Sequence, residues 1–432
     1  MSASWLAPRR GRAAFASPAR RATLSTAAAA VVNQALLLVS GALSARILGP
    51  ADRGHMALLA LIPGVLCLAG SMGFVSAVMH FVAQTPASAT GVLRAIRRQL
   101  GLQLVGLTLV HVAVTVFWLL PSLDHGNRPA AYIALGVLPA LFFTQYAQAV
   151  LLGCQRFGAY TALLVSAPAL LCVGIVGLYV AGKGDLVSVA LVGALAAVVP
   201  AGAAVTVARR VVQRIPGEGC APPRGEIGAF ARSSYLGQVA PFEAFRIDQL
   251  AVGAAFAPAI LGYYTAATAL TNLSRFLGDS LGVVLAPYIA SLPKSRQKRS
   301  LVRGILVAAA LCGAVTAALL PAIGVLIPLL FGDAFRPAIP LAQVLLVAGG
   351  LLGFRRAVLP GLRGIGLPQI GSYSEFVALA VFAAALPVAL TSDSGMGIAL
   401  AYLASAVAAL AAIPVAIRLQ QVRQNGRPGT RP

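Results

Sequence analysis

A chain of 432 residues in which 59% are hydrophobic and only 10% charged, with a mean hydropathy of +0.87, excludes an ordinary water-soluble protein. At about 20 apolar residues per crossing, such a chain has room for about a dozen transmembrane helices. The formal net charge of +22 suggests nucleic acid at first sight, so the positions of the cations decide its meaning.

In chain order, a basic tail over 1–23 leads into spans expected at 24–46, 55–81, 99–120, 130–152, 160–181 and 186–208. A linker over 209–229 follows, marked by Pro, Gly and charges of both signs. Further spans are expected at 230–252, 260–289, 304–331, 338–361, 369–391 and 395–417, before a second tail over 418–432. The fold class this implies is an all-α polytopic membrane protein with one six-span unit over 24–208 and another over 230–417. The first span has the outline of a secretory leader. Asn33 and Gln34 interrupt its apolar middle, however, and its removal would cost the first unit a helix, so it is read as retained.

The cations follow the loops. With the N-terminus placed in the cytoplasm, 24 of the 33 Lys and Arg fall on inside segments, five fall outside and four within spans. The five are Arg46, Arg53, Arg128, Lys183 and Arg336. This is the positive-inside pattern, with both termini cytoplasmic. Runs such as "RAIRRQ" and "PKSRQKRS" therefore read as topology signals beside anionic lipid headgroups, and nucleic acid is set aside as a partner.

The two units share a register. "PADRG" at 50 matches "PAILG" at 258, "RPA" at 128 matches "RPA" at 336, and "VLLG" at 150 matches "VLPG" at 358, all at one offset of 208. An even number of spans per unit gives both copies the same orientation, related by an axis along the membrane normal, which is an architecture of transporters. At that offset Arg46 becomes Ala254 and Arg53 becomes Leu261, while Pro50 and Gly54 persist. The turn is thus read as structural and the charges as additions to it.

Polar residues inside spans are costly at about 2.5 to 3.5 kcal/mol per central charge, and so mark candidate sites. In the eighth span Tyr264, Thr268, Thr271, Arg275 and Asp279 share one helical face. The seventh adds Gln238, Glu243, Arg246, Asp248 and Gln249 around Pro241. The first offers Asn33, Ser40 and Ser44, leading to Arg46. Mutual neutralisation, Arg275 with Asp279 and Glu243 with Arg246, stands beside a role in a wet cavity. Arg46 has two readings, contact with a departing headgroup or simple snorkelling, while Asp52 and Arg53 are read as marking the outer loop. Arg355 and Arg356 are read as snorkelling to the interface, and Glu375, His55, His80, His111 and His125 as structural. The five cysteines read as structural thiols. No catalytic constellation, phosphate cradle or metal set is visible, so no enzyme activity, cofactor or metal is expected, and coupling to an H⁺ or Na⁺ gradient stays open.

"SARILGPADRGHMALL", "FRIDQLAVGAAFAPAILGYYTAATAL" and "VLAPYIASL" resemble the first-to-second, seventh-to-eighth and eighth-helix regions of Wzx-type polysaccharide flippases. These belong to the multidrug/oligosaccharidyl-lipid/polysaccharide exporter superfamily. The resemblance implies twelve helices in two six-helix lobes and transfer of undecaprenyl-diphosphate-linked oligosaccharide to the outer leaflet. It also implies cationic cavity residues, which fall on Arg46 and on the Arg-x-Asp of Arg246 and Asp248. The spans hold as many acids as cations, so counting alone does not give a positive cavity. The implied partners are a polyprenyl-linked oligosaccharide and membrane lipid, with a glycan polymerase and glycosyltransferases nearby in the same process. Alternatives are an ion-coupled multidrug antiporter and a lipid II flippase. Thirty Arg to three Lys, with abundant Ala, suggest a GC-rich bacterial genome and hence a bacterial cell membrane.

Overall fold

The computed structural model describes residues 12–216, 219–220, 222–238, 241–365, 367 and 369–425. The beginning of the N-terminal tail, part of the linker, the end of the C-terminal tail and the side chain of Gln238 lie outside what is described. The described residues are helical with no strand, as the sequence dictates, because in lipid a backbone must satisfy its own polar groups. Nine helical segments among them are long and apolar enough to cross a membrane.

The first element, α1, runs Arg12–Gly70 but is two helices joined at Gly49, whose φ of 69° and ψ of 179° reverse the chain where a side chain would be strained. It is followed by α2 (Phe74–Gln84), α3 (Ala89–Val114), a π turn at Thr115–Leu119 and the short α4 (Leu120–Ser122). Next come α5 (Arg128–Ala134), α6 (Val137–Gly153), α7 (Phe157–Ala181) and α8 (Leu186–Gln213). Asp185 caps α8 by accepting the Ser188 N–H at 2.8 Å and the Ser188 hydroxyl.

The expected seventh span is broken. Its described residues are α9 (Arg224–Gln238), α10 (Pro241–Ala244) and α11 (Ile247–Ala255), and among them the interruption falls at Phe245–Arg246, where Arg246 is left-handed at φ 46°. The charged residues on either side of this interruption, Glu243 and Asp248, find partners on neighbouring helices. The remainder is more regular: α12 (Pro258–Ala290), α13 (Lys294–Phe331), α14 (Ala338–Gly364), α15 (Gln369–Ala389) and α16 (Met396–Asn425).

Three buried apolar clusters hold these helices. One joins α2, α3, α6 and α8 with Ile227 and Ala231 of α9, and a small one ties α12 to α14, α15 and α16. The largest brings Leu58, Leu59 and Ile62 of α1 against Leu261, Tyr264 and Leu270 of α12 and their neighbours on α13, α14 and α16. Within it lies the contact that explains the repeated Pro-Ala-x-x-Gly. A Cβ on Gly54 would stand 1.8 Å from the Pro258 carbonyl oxygen, and one on Gly262 2.0 Å from that of Pro50. Each repeat's glycine thus receives the other repeat's proline carbonyl, and no larger residue allows that approach.

Candidate substrate cavity

Between the helices of the two repeats lies a cavity of about 500 Å³. From the first repeat it is lined by Ser40, Ser44 and Arg53 of α1, and from the second by Arg246, Gln249 and Thr268. Arg53, Ala57, Ala60 and Gly64 all line it at steps of three and four, so the small residues leave the space and the arginine furnishes it. Arg53 donates from Nη1 to Ser44 Oγ at 3.1 Å, while its buried Nε has no partner. Across the cavity the Arg246 guanidinium makes no hydrogen bond or ion pair with the described residues, while its main-chain carbonyl accepts the Leu250 N–H at 3.0 Å. A recess of about 20 Å³ shares Arg246, Gln249 and Thr268 with the cavity and adds Glu243, Asp248, Thr271, Arg275 and Tyr402. It is large enough for a single water. Gln249 Nε2 donates to Thr268 Oγ1 at 3.1 Å, the Tyr264 hydroxyl donates to Asp248 Oδ2 at 3.0 Å, and Arg275 donates to the Tyr402 hydroxyl.

The sequence pairings are replaced by longer-range ones. Glu243 does not pair with Arg246, nor Arg275 with Asp279. Glu243 Oε1 accepts from Arg355 Nη1 at 2.6 Å and its Oε2 from Arg356 Nε at 2.6 Å. Arg355 also binds Glu375 at 2.5 Å, and Arg356 binds Asp279 at 2.8 Å. Arg355, only 3% exposed, therefore does not snorkel, and Glu375 is a member of a buried ion network. The reason is geometric: the break in the seventh span turns Glu243 toward α14, where two consecutive arginines offer a planar fork each.

Arg46 and Asn33 lie away from the cavity lining, as does Asp279. Arg46 reaches across to the end of α13, donating from Nε to the Leu330 carbonyl at 2.9 Å and from Nη2 to that of Leu329. These carbonyls belong to the last turn of a helix and have no successor N–H to accept from. Arg53, expected to mark the outer loop, is in the cavity; the small-residue face of Ala57, Ala60 and Gly64 that follows it is the sequence signal for this. His111 is buried on α3 beside the π turn with both ring nitrogens unpartnered, and lines neither space. Among the described residues no three His, Cys, Asp or Glu converge as metal ligands would.

This arrangement of helices is similar to that of solved MOP-superfamily transporters. The lipid II flippase MurJ in an inward closed conformation is similar over 91% of this chain and 87% of its own, with TM-score 0.67 and 11% identity. An inward-facing multidrug resistance MATE family transporter matches over 91% and 96%, with TM-score 0.63 and 16% identity. A MOP superfamily transporter from Pyrococcus furiosus, described as having a binding pocket of reverse polarity, matches over 93% and 95%, with TM-score 0.57 and 15% identity. Such identities establish the fold alone. No curated protein matches the sequence. The family described as "Polysaccharide biosynthesis protein" matches residues 43–340, and the chain belongs to that family.

Proposed function

We propose that the chain is a flippase that carries a diphosphate-linked oligosaccharide on a polyprenyl tail from the cytoplasmic to the outer leaflet of a bacterial membrane. In this reading twelve crossing helices form two six-helix lobes, 24–208 and 230–417, around the 500 Å³ cavity, with both termini cytoplasmic. One observation carries it. The acids Glu243, Glu375 and Asp279 are held by Arg355 and Arg356, and Asp248 accepts from Tyr264, so Arg53 and Arg246 face the cavity without a carboxylate bonded to either. Equal counts of charge conceal a cationic cavity, and two arginines on opposite walls suit a diphosphate.

The physical need is large. Each sugar hydroxyl left without a partner in hydrocarbon costs about 1 to 3 kcal/mol or more, which forbids an unaided flip of several sugars. Alternating access between the lobes would present Arg53 and Arg246 to one leaflet and then to the other. The family's place in polysaccharide biosynthesis and the fold shared with a lipid II flippase support a lipid-linked substrate. A multidrug antiporter would need a carboxylate open to the cavity, whereas Glu243 and Asp248 line only the recess, the first bonded to two arginines and the second accepting from Tyr264.

The test is transport in proteoliposomes loaded on one leaflet with undecaprenyl-diphosphate-linked oligosaccharide. Arg53→Gln and Arg246→Gln should each slow the flip about tenfold or more at equal protein, the loss expected for one charged hydrogen bond. Unchanged rates in both variants would remove the arginine-guided mechanism.

A further inference from the structure

Glu243 and Arg246 are separated by three positions, the spacing at which an unbroken helix would pair them. In this protein they part. Arg246 takes a left-handed conformation at φ 46° and faces the cavity, while Glu243, 8% exposed, turns to α14. There Arg355 and Arg356 each take one of its oxygens at 2.6 Å. Arg356 continues to Asp279 at 2.8 Å, and Arg355 to Glu375, whose other oxygen accepts the Glu243 N–H at 3.1 Å. Neither Arg355 nor Arg356 lines the cavity or its recess.

A carboxylate taken out of water and left without a partner is costly, so it turns to whatever cation is within reach. For Glu243 the cations in the recess are Arg246 and Arg275. A pairing there would cancel the charge on which an anionic headgroup depends. From this geometry we infer that Arg356, acting with Arg355, is a positioning residue for substrate binding: it holds Glu243 on the α14 side and so keeps it out of hydrogen-bond contact with Arg246 and Arg275. The inference rests on the anionic-substrate reading above. It also accounts for arginine at both positions, since each guanidinium serves two carboxylates at once and a lysine ammonium lacks that planar fork.

Arg356 is the residue to change, because it is half-exposed, whereas loss of Arg355 would strand two buried carboxylates. The probe is undecaprenyl diphosphate, and its Kd is measured on the purified full chain in lipid nanodiscs. Arg356→Gln should weaken binding about tenfold, and adding Glu243→Gln should restore it to within about twofold of wild type, because the acid that would quench the site is gone. A double variant as weak as the single one overturns the inference, since damage to packing is not repaired by removing an acid. Arg246→Gln separates the two claims: if it binds the probe as wild type does, the anionic reading fails. The positioning role is then decided by the structure of Arg356→Gln determined by electron cryo-microscopy. There the Glu243 carboxylate is expected within about 4 Å of the Arg246 or Arg275 guanidinium. Glu243 still held by Arg355 and clear of both arginines overturns it.

Discussion

Arg46 and Arg53 belong to one short charged stretch, yet Gly49 between them sends one to the far end of α13 and the other into the cavity. The donors of Arg46 meet carbonyls in a helix's final turn, where the negative end of the dipole adds to the attraction. In the proposed two-lobe reading α1 and α13 belong to different lobes, and this contact would fasten the lobes together at the Gly49 end. A hydrogen bond from a charged donor contributes about 1.5 to 3 kcal/mol, enough to move a closed-to-open ratio by tenfold or more. Arg46→Gln should therefore populate a longer separation between spin labels placed at Ala51 and Asp333, measured by pulsed electron resonance. Identical distance distributions in wild type and variant would show that Arg46 fastens nothing. The sequence announced that a charge stood here but not what it bonds, because its partners are main-chain oxygens that every residue possesses.

At the scale of helices, the repeated Pro-Ala-x-x-Gly was legible as a motif, and the structure supplies the reason for its glycines. Gly54→Ala and Gly262→Ala should be equivalent, each forcing a Cβ against a proline carbonyl and costing about 1 to 3 kcal/mol in thermal unfolding, as overpacking does. Gly64→Ala, with nothing within 4 Å of its Cβ, serves as the neutral control. If Gly54→Ala is as harmless as Gly64→Ala, the reciprocal contact is not close-packed. The helix cap of α8 gives a second prediction. The Ser188 hydroxyl and N–H hold the Asp185 carboxyl below its ordinary pKa. Its cap is fully present above the unfolded-state pKa and is lost as pH falls through the lower folded-state value. Asp185→Asn should abolish that acid-side loss in pH-dependent unfolding, and an unaltered profile would deny the cap. By contrast, the broken seventh span was only half legible. The cluster of charges around Pro241 marked the span as unusual, but the interruption at Phe245–Arg246 and the preference of Glu243 and Asp279 for arginines on α14 depend on tertiary packing, which local spacing does not carry.

For the whole molecule, composition was enough to give the medium and the all-helical class, since apolar runs in lipid have few other forms. The cationic cavity proposed above was not available by counting, because charges of both signs are equally visible in a sequence whether bonded or free. The proposed orientation rests on the uneven distribution of 33 cations along the chain, a bias that acts as the helices enter the membrane. Under the proposed function it would set the direction of export, because the cytoplasmic loops define which leaflet supplies the substrate. In a background lacking the native cysteines, a cysteine at Asp52 or Asp333 should label in intact cells with a membrane-impermeant thiol reagent, and one at Lys294 should not. Asp333 and Lys294 are exposed and Asp52 is half-buried, so access across the membrane, rather than packing, governs the comparison at 333 and 294. Labelling at 294 without labelling at 333 would invert the protein in the bilayer. The Gly49 end held by Arg46 would then face the cytoplasm, and the same cavity would serve uptake instead of export.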